Sequence, residues 1–123
     1  MDREGAARWV GDYERAWRDD DAGAVERLFT ADAAYRRSPY EPSEVGHDAI
    51  KAFWLEDSGR RFSMDATVLA VDHDVAVVRV DVLYNDPVQQ EYRDLWILRF
   101  APDGRVADFE EWAYWPGRSY TAS

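Results

Sequence analysis

A chain of 123 residues with 46% apolar and 33% charged side chains suits one globular domain spanning residues 1–123 and excludes a disordered or low-complexity protein. No segment approaches the ~20 consecutive apolar residues of a membrane span, the polar opening Met1-Asp2-Arg3-Glu4 has no signal-peptide core, and cysteine is absent; the expectation is a cytoplasmic protein without disulfides, a thiolate nucleophile or cysteine-held metal. Fifteen Lys and Arg against twenty-five Asp and Glu leave a net charge of −10, which repels phosphate backbones and points away from nucleic acid.

In chain order, Ala6, Trp9, Val10, Tyr13, Ala16 and Trp17 recur at three- and four-residue steps between charged residues, predicting an amphipathic helix from Asp2 to about Asp19. Asp19-Asp20-Asp21 stops it and offers N-cap oxygens to a second, shorter helix through Ala24, Val25, Leu28 and Phe29. Thr30-Ala31-Asp32 reads as a turn into a short strand from Ala33 to Arg37. Pro39 and Pro42 then forbid helix in the loop from Ser38 to Ser43. A third helix opens at Gly46-His47-Asp48, carries Ile50, Phe53, Trp54 and Leu55, and stops at Ser58-Gly59.

The period then changes to alternation. Four β-branched and aromatic runs, Phe62 to Val71, Val75 to Tyr84, Gln90 to Phe100 and Arg105 to Trp115, are separated by Asp72-His73-Asp74, Asn85-Asp86-Pro87 and Ala101-Pro102-Asp103-Gly104. They predict an antiparallel meander. Helices followed by strands argue an α+β fold, three N-terminal helices lying on one face of a curved four-strand meander plus a short strand.

This order resembles the nuclear-transport-factor-2-like superfamily and, within it, the SnoaL-like group. The residues that carry the resemblance are Asp21-Ala-Gly-Ala-Val-Glu-Arg-Leu-Phe29 with Ala31-Asp32, Gly46-His-Asp-Ala-Ile50 with Phe53-Trp54, and Leu98-Arg-Phe100 with Asp103-Gly-Arg-Val106. The resemblance implies a cone with an apolar pocket at its open end, often dimeric through the outer sheet face. It implies no single reaction, since the superfamily holds isomerases, dehydratases, cyclases, epoxide hydrolases and pure binding modules.

Two enzyme patterns of the superfamily can be compared residue by residue. Steroid isomerases use a Tyr on the first helix, matched by Tyr13, and two Asp whose positions here hold Ser38 and Trp96; that chemistry is disfavoured. Limonene-type epoxide hydrolases carry Arg-x-Asp on the second meander strand, a second acid on the last strand and a Tyr before the Pro loop. Arg79-Val80-Asp81, Glu111 and Tyr35 match these, while Arg37 stands where those enzymes have Asn. In such a line one carboxyl protonates the epoxide oxygen, the other takes a proton from water, and Arg79 holds their proton affinities apart. The competing reading places Ala76, Val78, Val80, Val82 and Tyr84 on the core face, which puts Arg79 and Asp81 in water unless a dimer covers that side.

Other candidates also have two readings. Asp94 shares a strand face with Tyr92, Trp96 and Leu98, which makes it a pocket acid or base, or an edge Asp paired with Arg37 or Arg93. Of Glu110 and Glu111 only one can point inward; parity with Phe109 and Ala113 selects Glu111, and parity with Trp112 and Tyr114 selects Glu110. Arg37 donates hydrogen bonds but accepts none, so a cationic loop could hold an acidic group of a ligand. His73 sits in a turn and His47 orients a helix start. No HExxH, phosphate loop, Gly-x-Ser-x-Gly or metal-ligand cluster is present.

The sequence therefore predicts a pocket lined by some of Trp9, Tyr13, Trp17, Tyr35, Arg37, Phe53, Trp54, Trp96 and Phe109, binding a small hydrophobic molecule without cofactor or metal. Its chemistry would be epoxide opening, cyclisation or isomerisation with Arg79, Asp81 and Glu111, or Asp94 with Tyr13. The alternative is a non-catalytic binding or accessory module. A homodimer is expected through the outer sheet face, with Val78, Val80 and Val82 beside Trp112 and Tyr114.

Overall fold

Asp2 starts the first helix as an N-cap: its carboxylate accepts from the Gly5 N–H at 2.7 Å, satisfying a donor that has no partner within the helix. In the computed structural model, which describes residues 1–56, 61–86 and 89–117, α1 runs Arg3–Arg18. Glu4 lies in its first turn and Arg15 and Arg18 in its last, as the helix dipole favours. Its buried stripe is Ala6, Trp9, Val10, Tyr13 and Ala16, the face predicted from the spacing. Asp20 ends the segment at φ 51°, a left-handed conformation that Asp tolerates.

The second helix is shorter than expected and is capped differently. A 3₁₀ turn, Ala22–Ala24, leads into one α-turn, α2, Val25–Leu28. Asp21 makes no side-chain cap; its carboxylate accepts from Arg27 at 3.1 Å instead. Phe29 already belongs to the next element, β1, Phe29–Arg36. The expected turn at residues 30–32 is thus an irregular stretch of strand, with the register shifting between Phe29 and Ala34. Beyond the Pro loop a two-residue strand that the sequence did not announce, β2, Glu44–Val45, pairs with Ala34 and Tyr35. Helix α3 spans His47–Glu56; its expected stop at Ser58-Gly59 lies outside the described residues.

The meander is present as predicted: β3, Arg61–Asp72; β4, Val75–Asp86; β5, Gln90–Phe100; β6, Val106–Tyr114. His73, at φ 55°, and Gly104, at φ 90°, occupy the left-handed positions of two connections; residues 87 and 88 of the third lie outside the described set. The six-strand sheet has the order β2-β1-β6-β5-β4-β3. It is mixed, because β1 runs parallel to β6. Among the described residues, no helix is long and apolar enough to cross a membrane.

Register decides which residues share a face. Val78 pairs with Trp96, Trp96 with Glu111, Val80 with Asp94 and Leu98 with Phe109. Ala76, Val78, Val80, Trp96, Leu98, Phe100 and Phe109 therefore point together toward the helices, and all are buried. Val78, Val80 and Val82 consequently cannot form the expected dimer surface. Val78 and Val80 are core residues, and the outer face carries Leu95, Trp112 and Tyr114 instead. Behind the core residues lies a continuous aromatic cluster: Tyr35 stacks on Phe109 at 4.2 Å and Tyr13 meets Trp96 edge-on at 4.8 Å. Each such pair contributes about 0.5–1.5 kcal/mol beyond its burial.

Candidate functional site

At the end of the sheet where β1 and the Pro loop meet the meander, the aromatic core opens into a cavity of about 240 Å³. Its walls come from α1 (Tyr13, Trp17), β1 and the residue after it (Tyr35, Arg37), α3 (Phe53), β3 (Phe62, Met64), β4 (Val82, Tyr84), β5 (Tyr92, Asp94, Trp96), and β6 with its extension (Glu111, Ala113, Trp115). A larger groove of about 970 Å³ lies on the outer side of α1. Its charged lining is largely exposed and self-paired, Arg27 with Asp21 and Arg105 with Asp103 among others. The smaller cavity is the one that encloses polar groups in apolar walls, which is where proton affinities shift.

Two carboxyls meet there. Asp94, only 5% exposed, and the partly buried Glu111 both line the cavity. Removal from water pushes the Glu111 carboxyl well above its ordinary range, and its hydrogen bond and repulsion with Asp94 push it further; the Trp96 indole and the Arg37 charge oppose this more weakly. Desolvation also raises Asp94, although Glu111 lowers it by hydrogen bonding. Both carboxyls are raised and hydrogen-bonded to each other, so the two acids titrate as a pair. Asp94 Oδ1 is buried and has no hydrogen-bond partner among the described residues, and the Trp96 indole N–H lies close enough to both carboxyls to lower their proton affinities without making a well-formed hydrogen bond.

Beside the pair, Tyr13 and Tyr35 share a hydrogen bond at 2.7 Å between their hydroxyls. Both rings are buried, and desolvation above all keeps both phenols protonated far above their usual range. One neutral phenol donates to the other, which leaves a single O–H donor for a further acceptor. Arg37 stands in the wall with its guanidinium 4.6 Å from the Phe53 ring centroid, within 3.8 Å of Glu41 and 3.7 Å of Glu44.

Several expected residues lie elsewhere. Arg79 and Asp81 project from the outer face of β4, 3.6 Å apart with side chains 54% and 44% exposed. The reason is parity: their neighbours Val78, Val80 and Val82 take the inner face. Glu111 is on the opposite side of the sheet from Asp81, so the acid–Arg–base line of limonene-type hydrolases is not assembled. Trp9 is held in the core by donating from Nε1 to the Leu28 carbonyl at 2.9 Å. Trp54 and Phe109 are core residues too, Phe109 lying beneath Tyr35 and outside the cavity wall. Glu110 points outward, where it accepts from Arg36 at 3.0 Å and from Trp112 Nε1 at 2.7 Å. His47 donates to the Phe29 carbonyl at 2.8 Å and so pins α3 to β1.

The wall also contains Phe62, Met64, Val82, Tyr84, Tyr92, Ala113 and Trp115, which the sequence reading did not select. Val82, Tyr84 and Tyr92 continue the alternation of Val80 and Asp94 toward the strand ends, and that alternation was the available signal.

With this geometry in hand, comparison with known proteins is direct. Residues 10–109 match the SnoaL-like domain family. The chain belongs to that family. No curated protein sequence matches it. Among solved structures, this SnoaL-like protein is similar to SalBIII, an epoxide hydrolase/cyclase-like enzyme in pyran-ring formation in the polyether salinomycin, with TM-score 0.79, 15% identity, and 92% and 93% of the two chains covered. It is similar also to an LEH-like epoxide hydrolase from M. tuberculosis, with TM-score 0.70, 14% identity and 91% and 84% coverage. A ketosteroid isomerase-like protein from Erwinia carotovora atroseptica gives TM-score 0.69, 21% identity and 94% and 100% coverage. At these identities the likeness is one of fold, a shared α+β cone.

Proposed function

We propose that this protein is an acid–base enzyme without a cofactor, acting on a small hydrophobic molecule held in the aromatic cavity, with Asp94 and Glu111 as its proton-exchanging pair. The supporting observation is the pairing of these two carboxyls inside apolar walls. One proton shared between them suits a reaction in which the substrate both gains and loses a proton. In ring closure on an epoxide, Glu111 donates its proton to the epoxide oxygen as the C–O bond breaks. Asp94 takes the proton from the attacking hydroxyl as the new C–O bond forms. The proton then returns from Asp94 to Glu111, so the pair is regenerated without net proton change. In an isomerisation, Asp94 carries the proton between carbons while one phenol of the Tyr13–Tyr35 pair, itself accepting from the other, donates to the developing oxyanion.

The structural neighbours named as epoxide hydrolase/cyclase-like and ketosteroid isomerase-like make these the two reaction types to test. Arg79 and Asp81 have no role in either. A panel of small epoxy-alcohols and β,γ-unsaturated ketones, followed by product analysis, would show turnover by the protein and its loss in Glu111→Gln. Absence of turnover across both classes would overturn the enzymatic reading.

A specific observation favours the alternative of a binding module: Asp94 Oδ1, a buried acceptor without a partner among the described residues, recognises a ligand as readily as it serves chemistry. In that case ligands quench Trp fluorescence and emerge unchanged. We also propose self-association through the outer sheet face, where Leu95 and Trp112 are cross-strand neighbours and both are exposed. A strictly monomeric elution in gel filtration would refute it.

A further inference from the structure

Aromatic rings form most of the cavity wall, Trp17, Tyr84, Tyr92, Trp96 and Trp115 among them. The face of each ring carries the negative part of its quadrupole, so rings converging on one space attract positive charge. The protein already uses this property at the same wall: the Arg18 guanidinium lies 4.4 Å from the centroid of Phe62 and that of Arg37 lies 4.6 Å from Phe53.

Formal charge acts in the same direction. Asp94 and Glu111 place two carboxyl groups in the wall, and Asp94 Oδ1 is buried there with no hydrogen-bond partner among the described residues. Arg37 is the one cationic side chain of the wall among the described residues. Glu41 and Glu44, 3.8 and 3.7 Å away on the loop and the sheet edge, offset its charge, which acts on Glu111 more weakly than burial and Asp94 do. The chain as a whole carries −10, which concentrates cations at its surface. The space is small, about 240 Å³, below the ~300–1,000 Å³ of pockets for drug-sized ligands.

We propose that the cavity binds a small hydrophobic ammonium ion, a primary to quaternary amine bearing about one ring, with its charged end at the Asp94 and Glu111 carboxyls and its apolar body among the aromatic walls. This shares the carboxyl pair with the proposed reaction but does not depend on turnover, so either can fail without the other. It opposes the expectation that Arg37 captures an acidic ligand.

Three probes of one shape decide it: benzylammonium, benzyl alcohol and benzoate, titrated by Trp fluorescence and calorimetry at neutral pH. Benzylammonium should bind at least about tenfold more tightly than the alcohol, and benzoate more weakly than either. That order should survive about 0.5 M salt, since an enclosed charge pair is screened far less than a surface field. In Asp94→Asn/Glu111→Gln the preference for benzylammonium over the alcohol should shrink to the part that the rings supply, a fall of at least about threefold. If that variant does not fold, the wild-type ranking alone decides. Alcohol or benzoate binding as tightly as the amine would overturn the proposal, as would a preference that disappears in salt or is undiminished in the folded double variant.

Discussion

The inner and outer faces of β4, β5 and β6 carry similar residue types with opposite consequences. Inside, Asp94 and Glu111 are enclosed by Tyr13, Tyr35 and Trp96, and their proton affinities rise. Outside, Arg79 and Asp81 lie 3.6 Å apart as a half-exposed ion pair. A one-residue step along a strand separates these environments. Charge alone therefore identifies nothing; the dielectric on the side of the sheet it faces determines whether it can do chemistry.

The largest expected contrast is in turnover. Glu111→Gln or Asp94→Asn should lower kcat/KM by about 10²–10⁴-fold on whichever substrate the protein turns over, while Arg79→Ala and Asp81→Asn should change it by less than about twofold. A loss on the outer face as large as on the inner one would break the comparison.

Two tryptophans repeat it in stability. Trp96→Ala removes a buried ring in contact with Tyr13 and Phe109 and should cost about 3–5 kcal/mol in chemical denaturation. Trp112→Ala, on the exposed face, should cost less than about 1 kcal/mol if the outer face is free of partners.

A third test uses pH. Because Asp94 and Glu111 have folded-state pKa values raised above those of the unfolded chain, the folded state binds more protons than the unfolded state between the two. Stability from this pair is then fully present below the ordinary carboxylate range and is lost as pH rises through the raised values. Urea midpoints measured from acid to mildly alkaline pH should show this fall, and Glu111→Gln should flatten it. An unchanged slope in that variant would mean the pair does not share its proton. The smallest effect belongs to the outer pair: a double-mutant cycle on Arg79 and Asp81 should give a coupling below about 1 kcal/mol.

Much of the fold was legible locally. The Asp2 cap, the α1 stripe, the Pro loop and the four meander strands follow from short-range periodicity and turn chemistry, which act over a few residues. The second helix was over-read because Phe29, apolar and in phase with Val25 and Leu28, is claimed by the sheet beside Val106. Strand β2 went unseen since two residues have no period. The site was legible only in part. Tyr13, Trp17, Tyr35, Arg37, Phe53, Asp94, Trp96 and Glu111 do surround one space. Trp9, Trp54 and Phe109 obey the same apolar pattern but fill the core, because periodicity reports that a residue faces inward and not how deeply.

By itself, then, the sequence determined the element order, the α+β class and the limits on chemistry: without cysteine and with two histidines, the side chains left for proton transfer are mainly carboxyls and tyrosines. Tertiary structure alone decided which charges matter. Glu110 and Glu111 both have aromatic residues two positions away, so their alternation is ambiguous. Only the pairing of Trp96 with Glu111 across β5 and β6 turns Glu111 inward toward Asp94. Side-chain parity is a local property, but which parity faces the helices is set by strand partners distant in the chain.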